Sequence, residues 1–275
     1  MTAKRSERLL DSLTYIALTV CALIFLLPIL WIVRTSFTTK AIAYQIPPKW
    51  FITPTLDNYR DIFTDNPFGK YFMNSMVVSL VSTVIAVFLG AMAAYWIARR
   101  VKGGNFLRIA ILGTQMLPPI VMVIPIFMMI KKLNLLDSWV ALIATYLSFS
   151  LPYMIWLLMG FFEAIPKDLD EACEIDGCTK MQAFTKVVLP LAAPGIMAAG
   201  ILSFLMAWNE FLFALVLTGT GARTLPVAIA NMETQQGVMI AQLCAATVII
   251  ILPVVVLSLF IQKYLVNGMT MGSVK

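Results

Sequence analysis

Histidine is absent from the 275 residues, and charged residues make up only 12% of them. Without an imidazole, a His-based general acid or base is ruled out and a zinc site loses its usual ligand. A soluble globular domain carries about 25% charged residues, so a soluble fold is excluded as well. No G-x-x-x-x-G-K-[ST] run is present; Gly103-Gly104 and Gly219–Gly221 lack that context, so the chain has no phosphate-cradling loop of its own. Four cysteines, Cys21, Cys173, Cys178 and Cys244, form no C-x-x-C pair and read as small apolar side chains. Neither an internal repeat nor a low-complexity segment appears. Basic residues outnumber acidic ones by 20 to 14, yet they flank apolar runs and form no stripe, so nucleic acid is not a partner and membrane topology explains them.

What the chain has in quantity is apolar length. Hydrophobic residues are 60% of it and the mean hydropathy is +0.89. A span needs about 20 mostly apolar residues, and six stretches qualify: Ser12–Val33, Phe72–Ala98, Phe106–Ile130, Trp139–Phe162, Leu191–Leu217 and Met239–Ile261. Pro118, Pro119 and Pro125 interrupt the third. Pro28, Pro152 and Pro253 fall inside others, which predicts kinks. The first run is too long for a signal-peptide core and no A-x-A site follows, so it reads as an uncleaved span. With the N-terminus inside, twelve basic residues lie in inner segments and eight in outer ones, which places both termini in the cytoplasm. The expected fold is an all-α integral membrane protein of six helices. Residues 1–11 form an N-terminal segment, 12–265 the spanning domain and 266–275 a C-terminal tail. The outer loop from Arg34 to Tyr71 is long enough to have a task or to cap the bundle.

The segment 163–190 interrupts this pattern. Six of the fourteen acidic residues fall between Glu163 and Asp176. Pro166 suits a first turn, and Asp168 and Asp170 suit a helix N-terminus. Leu169, Ala172, Cys173 and Ile175 recur at helical spacing, and Gly177 supplies a C-terminal stop. Thr179 with Gln182 three residues on is a capping-box pattern opening a second helix. Leu189-Pro190 should end it, because the residue before proline avoids the α region. Two short helices with an exposed turn are therefore expected between the fourth and fifth spans.

The spacing Glu171-Ala172-Cys173, three residues, Gly177, nine residues, then Val187-Val188-Leu189-Pro190 resembles the EAA loop of ATP-binding-cassette importer permeases. Cys173 replaces an alanine of that motif and Val187 an isoleucine. "AWNEF" at Ala207–Phe211, "ARTLPVAIAN" at Ala222–Asn231 and the tail "NGMTMGSVK" extend the likeness to carbohydrate importers of the maltose-transporter type, specifically the subunit without a large periplasmic insertion. The resemblance implies a permease subunit of a binding-protein-dependent importer in the bacterial inner membrane. It implies that Glu171, Ala172, Asp176, Gly177, Leu189 and Pro190 couple to an ATPase, and that Gly268, Thr270, Gly272 and Lys275 reach the ATPase interface. It further implies two ATPase subunits holding ATP and Mg, a second and different permease chain, a soluble or anchored substrate-binding protein and a sugar-like solute. This chain itself would bind no cofactor and catalyse nothing.

Inside the spans, Glu210 is the one ionisable residue well away from an end, a functional candidate or a helix-orienting hydrogen bond with Asn209 or a neighbour. Gln115, Tyr146, Ser150 and Tyr153 could line a polar path. A secondary transporter would show inverted repeats and embedded charges, and a membrane enzyme a nucleophile–base pair. A scaffold that only recruits a peripheral protein through the loop is the remaining alternative.

Overall fold

The computed structural model describes residues 2–65, 67–101, 103–234 and 237–271. In chain order the helices are α1 (Thr2–Ser36), α2 (Lys40–Ala43), α3 (Asp57–Asp65), α4 (Phe68–Arg99), α5 (Gly104–Gln115), α6 (Pro119–Lys132), α7 (Trp139–Ala164), α8 (Asp168–Ile175), α9 (Lys180–Ala183), α10 (Leu189–Trp208), α11 (Leu212–Leu217), α12 (Leu225–Ala230) and α13 (Ile240–Met271). A two-residue antiparallel ladder, Glu233–Thr234 with Gly237–Val238, is the one piece of sheet among the described residues. Five helices are long and apolar enough to cross a membrane, and the number is six if the bent pair α5–α6 counts as one span. The all-α membrane fold read from the sequence is therefore present.

Three boundaries differ from the sequence reading. The third span is two helices bent by 87° at the break around Pro118, not one kinked helix. Pro118 and Pro119 in succession remove two donors, and Pro119 starts a new helix at its first position. The fifth span ends at Trp208, and Leu212–Leu217 is a separate helix. Leu189-Pro190 does not end the second loop helix. A π-helical turn, Phe184–Val188, carries the chain straight into α10, with the Leu189 N–H reaching the Phe184 carbonyl. The widened turn suits the missing proline donor, and Pro190 sits in a first helical turn where none is required. By contrast Pro28, Pro152 and Pro253 lie within continuous helices.

Packing divides the chain into two units. One comprises residues 1–67 and 231–251. Its helix α1 has an apolar window that its own chain leaves unburied. The end of α1 is tied down instead: the Asn58 amide donates to the carbonyls of Ser36 (2.9 Å) and Thr38 (2.6 Å), and Ser36 and Tyr59 share a 2.8 Å hydroxyl contact. Asp61 pairs with Lys40 at 3.2 Å and accepts from Gln242 at 3.1 Å. Residues 38–61 thus fold back on that helix end.

The second unit comprises residues 68–230 and 252–275. Its core is the junction of α4, α7 and α10. Towards one end Val78, Leu142, Tyr146, Ala207 and Leu217 are buried together. Towards the other, Tyr95, Met154, Leu158, Phe162, Phe184 and Val188 are. Two glycines allow this closeness. A methyl group at Gly90 would lie 2.6 Å from Met154 Cγ, and one at Gly195 2.6 Å from the Phe161 ring. The small-residue pairs Gly90/Ala94 and Gly195/Ala199 therefore serve packing within the chain. Gly195→Val is expected to lower the thermal unfolding midpoint in detergent, at a cost of about 1–3 kcal/mol. Gly113→Ala, at a position with nothing within 4 Å, should leave the midpoint unchanged or higher.

Candidate functional site

The charged loop folds as two capped helices. Helix α8 ends in a Schellman turn: Gly177 has φ +88°, its N–H reaches the Glu174 carbonyl at 3.1 Å, and the Cys178 N–H reaches the Cys173 carbonyl at 2.9 Å. Helix α9 opens with the capping box, Thr179 Oγ1 accepting from Gln182 N–H and Gln182 Oε1 from Thr179 N–H. Glu171, Ala172, Asp176 and Gly177 are all exposed, and Ile175 beside them is 86% exposed. Leu189 and Pro190 are not part of this turn. They open α10, with Leu189 packed on the aromatic cluster.

The acidic face of α8 is not simply solvated. Asp170 is buried and lies 3.8 Å from Arg99 and 3.9 Å from Arg100. Arg100 also pairs with Glu174, and Arg99 donates to the Ile165 carbonyl at 2.6 Å. Burial disfavours the Arg100 charge, but the Tyr95 hydroxyl and the Glu174 carboxylate outweigh it and raise its pKa. Arg108 grips Glu163 with contacts of 2.8 and 3.0 Å. Basic residues explained above by topology alone thus bolt the start of the loop to the end of α4 and to α5. Two dense, oppositely charged clusters of similar length were the available signal.

The polar candidates within the bundle separate into two groups. The Glu210 carboxylate accepts from the N–H groups of Phe213 (2.8 Å) and Ala214 (3.1 Å), capping α11 where the fifth span breaks. Tyr146 is buried with its hydroxyl on the side of that carboxylate, and Ser150 is also buried. Gln115, Tyr153 and Asn209 are less enclosed. Gln115 donates to the Phe149 carbonyl at 3.2 Å, and Asn209 to its own helix at Leu205, 2.8 Å. Gly268 and Thr270 fall in the last turns of α13, where only the backbone is described; Gly272 and Lys275 lie outside the described residues.

A third cluster escaped the sequence reading. Asp137, held at φ +57°, accepts from Gly219 N–H (2.9 Å), Gly221 N–H (2.8 Å) and Ala222 N–H (2.8 Å). A methyl group at Gly221 would meet the carboxylate at 2.8 Å, so a larger residue there would displace the Asp137 side chain. Asn74 donates to the carbonyls of Gly221 (3.1 Å) and Arg223 (2.8 Å) and accepts from the Trp139 indole (2.9 Å). Ser75 accepts from Leu225 N–H at 2.7 Å. The 218–225 segment is therefore pinned by side chains of α4 and the α6–α7 turn.

Residues 86–271 match the family described as binding-protein-dependent transport system inner membrane component. A trehalose transport system permease protein of Mycobacterium tuberculosis is 44% identical, covering 91% of this chain and 92% of that one. A sulfoquinovosyl glycerol transport system permease protein of Agrobacterium fabrum is 40% identical over 96% and 93%. Among solved structures, a chain from a bacterial ABC transporter involved in import of the acidic polysaccharide alginate has a TM-score of 0.75 at 24% identity, covering 94% of this chain and 98% of that one; it bears on fold. The chain belongs to this family: it is a multi-pass inner-membrane permease subunit of a binding-protein-dependent importer, of the carbohydrate ABC type.

Burial alone would raise the Asp137 carboxyl, but the N–H donors of Ala222, Gly221 and Gly219, with the Lys70 charge, hold it below the usual carboxylate range. The stability it contributes is thus present above about pH 3.9 and lost as pH falls through the lower folded-state value. Asp137→Asn sets an amide NH2 against at least one of those N–H groups. It should cost about 1.5–3 kcal/mol and remove this acid-limb dependence, as read by thermal unfolding at stepped pH.

Proposed function

We propose that this chain forms half of the path of an ATP-driven importer for a sugar or sugar-like solute, and that the Asp176–Gly177 turn is where an ATPase subunit docks. The observation that carries this reading is the exposed turn between two capped helices, one bolted to α4 through Arg99 and Arg100 and the other continuous with α10. A push on the turn reaches two of the three core helices as rigid-body motion. The EAA spacing and the names of the carbohydrate-permease relatives support it.

On this reading the complex holds two ATPase subunits, which bind ATP and Mg, a second permease chain and a substrate-binding protein. The turn and both termini face the cytoplasm, and Gly268, Thr270, Gly272 and Lys275 reach towards the ATPase pair. Residues 163–190 are the coupling loop of the spanning domain, 12–265. Gln115, Tyr153 and Asn209 are the better path candidates, because Tyr146 and Ser150 are enclosed by this chain's own helices and Glu210 caps α11.

The test replaces Gly177 with valine in the reconstituted complex. A β-branched side chain at φ +88° strains the turn by about 1–2 kcal/mol, a factor of roughly 5–30 in an equilibrium. Binding-protein-dependent uptake should fall within that range while ATP hydrolysis persists. Normal uptake at normal expression overturns the docking assignment.

A further inference from the structure

The α8 turn places two cysteines where a Schellman turn brings side chains into contact. Such a turn pairs the residue three before the cap with the second residue beyond it. Here Asp176 is the cap, and those two positions are Cys173 and Cys178. Their Cα atoms are 5.4 Å apart, inside the range that a disulfide spans without backbone movement. The backbone hydrogen bond between the same two residues and the left-handed Gly177 fix that separation whatever the state of the sulfurs. In this structure the sulfurs are bonded to each other, which corrects the reading of these two cysteines as inert apolar side chains. Cys21 and Cys244 are free. Both loop cysteines are half-buried. No group of three metal-ligating side chains surrounds them among the described residues, so a metal does not explain the pair.

We propose that Cys173 and Cys178 form a reversible dithiol–disulfide modification site that stiffens the turn; its effect on transport rests on the docking assignment made above. Thiols facing the cytoplasm are kept reduced, so the dithiol is the resting form and a peroxide drives the change. One thiolate attacks an oxygen of hydrogen peroxide, the O–O bond breaks, and a sulfenic acid and hydroxide result. The second thiolate attacks that sulfur, the S–S bond forms, and a second hydroxide leaves. Two electrons pass from the thiols to the peroxide, and the two thiol protons complete two waters. A dithiol reductant reverses this by exchange through a mixed disulfide.

The loop so closed is short, with a sequence separation of 5, and a short loop restrains the unfolded chain little. The bond therefore acts mainly on local rigidity. It draws the sulfurs from van der Waals contact to about 2.05 Å and locks the start of α9 to the end of α8. The Gly177 backbone, the part that must seat closely in a partner, lies between those two attachments.

The complex with its ATPase, in proteoliposomes, is treated with hydrogen peroxide and then with dithiothreitol. Differential alkylation and mass spectrometry read the 173–178 linkage, and uptake is scaled to each sample's own reduced rate. Wild type should form the linkage and lose at least about half its uptake, a twofold change worth about 0.4 kcal/mol, and dithiothreitol should restore it. Cys173→Ala and Cys178→Ala should each abolish the response, whereas Cys21→Ala with Cys244→Ala should retain it. No linkage in wild type, a linkage with unchanged uptake, or an equal response in Cys173→Ala overturns the proposal. Failure of the docking assignment is distinguishable, because it shows as normal uptake by Gly177→Val in the fully reduced complex.

Discussion

A backbone N–H or C=O left unpaired in hydrocarbon costs several kcal/mol, and this chain interrupts its helices repeatedly. Three of these interruptions have a local partner. Glu210 caps α11 across the break after Trp208. The π turn hands the chain from α9 to α10 around Pro190. Asp137 collects three N–H groups of the glycine-bearing turn, and Asn74 takes two of its carbonyls. The membrane tolerates irregular backbone only where such groups are supplied. That requirement sets where the polar residues of this oil-rich chain stand.

The same requirement accounts for the fate of Glu210, one of the residues picked out as a path. A carboxylate, a phenol and a serine inside the spans read as solute contacts when only hydropathy and spacing are available. Glu210 turns out to spend both oxygens on its own chain, with Tyr146 beside it. The family connection makes the chain a transport subunit, but a transport subunit still has to satisfy its breaks first. Gln115 and Tyr153 are half-buried and Asn209 is exposed, which is why the proposed path rests on them.

Much of the loop is legible in the sequence because its signals are local. Thr179 and Gln182 are three residues apart, and Gly177 marks the left-handed position; neither needs tertiary information. The spans other than the third are legible for the same reason, as continuous apolar length, although the break after Trp208 shortens the fifth. The misreadings share a different cause. The 87° bend needs the two consecutive prolines to be weighed against each other, and a hydropathy window averages across them. The Asp137 cradle joins positions more than eighty residues apart, and the Arg99–Asp170 contact joins positions seventy-one apart. Spacing rules do not reach that far. The cysteine pair could have been found: the turn geometry inferred from Gly177 already implies that residues 173 and 178 touch.

The bend in the third span bears on how this part of the chain is held in its membrane. At 1.5 Å per residue, the 12 residues of α5 and the 14 of α6 extend about 18 and 21 Å, and the hydrocarbon layer is about 30 Å thick. Neither half can cross alone, and the backbone at their junction cannot face lipid. Residues 104–132 therefore lean on the helices they pack against, α7 for α5 and α11 for α6, and this part of the bundle has no membrane stability of its own apart from those neighbours.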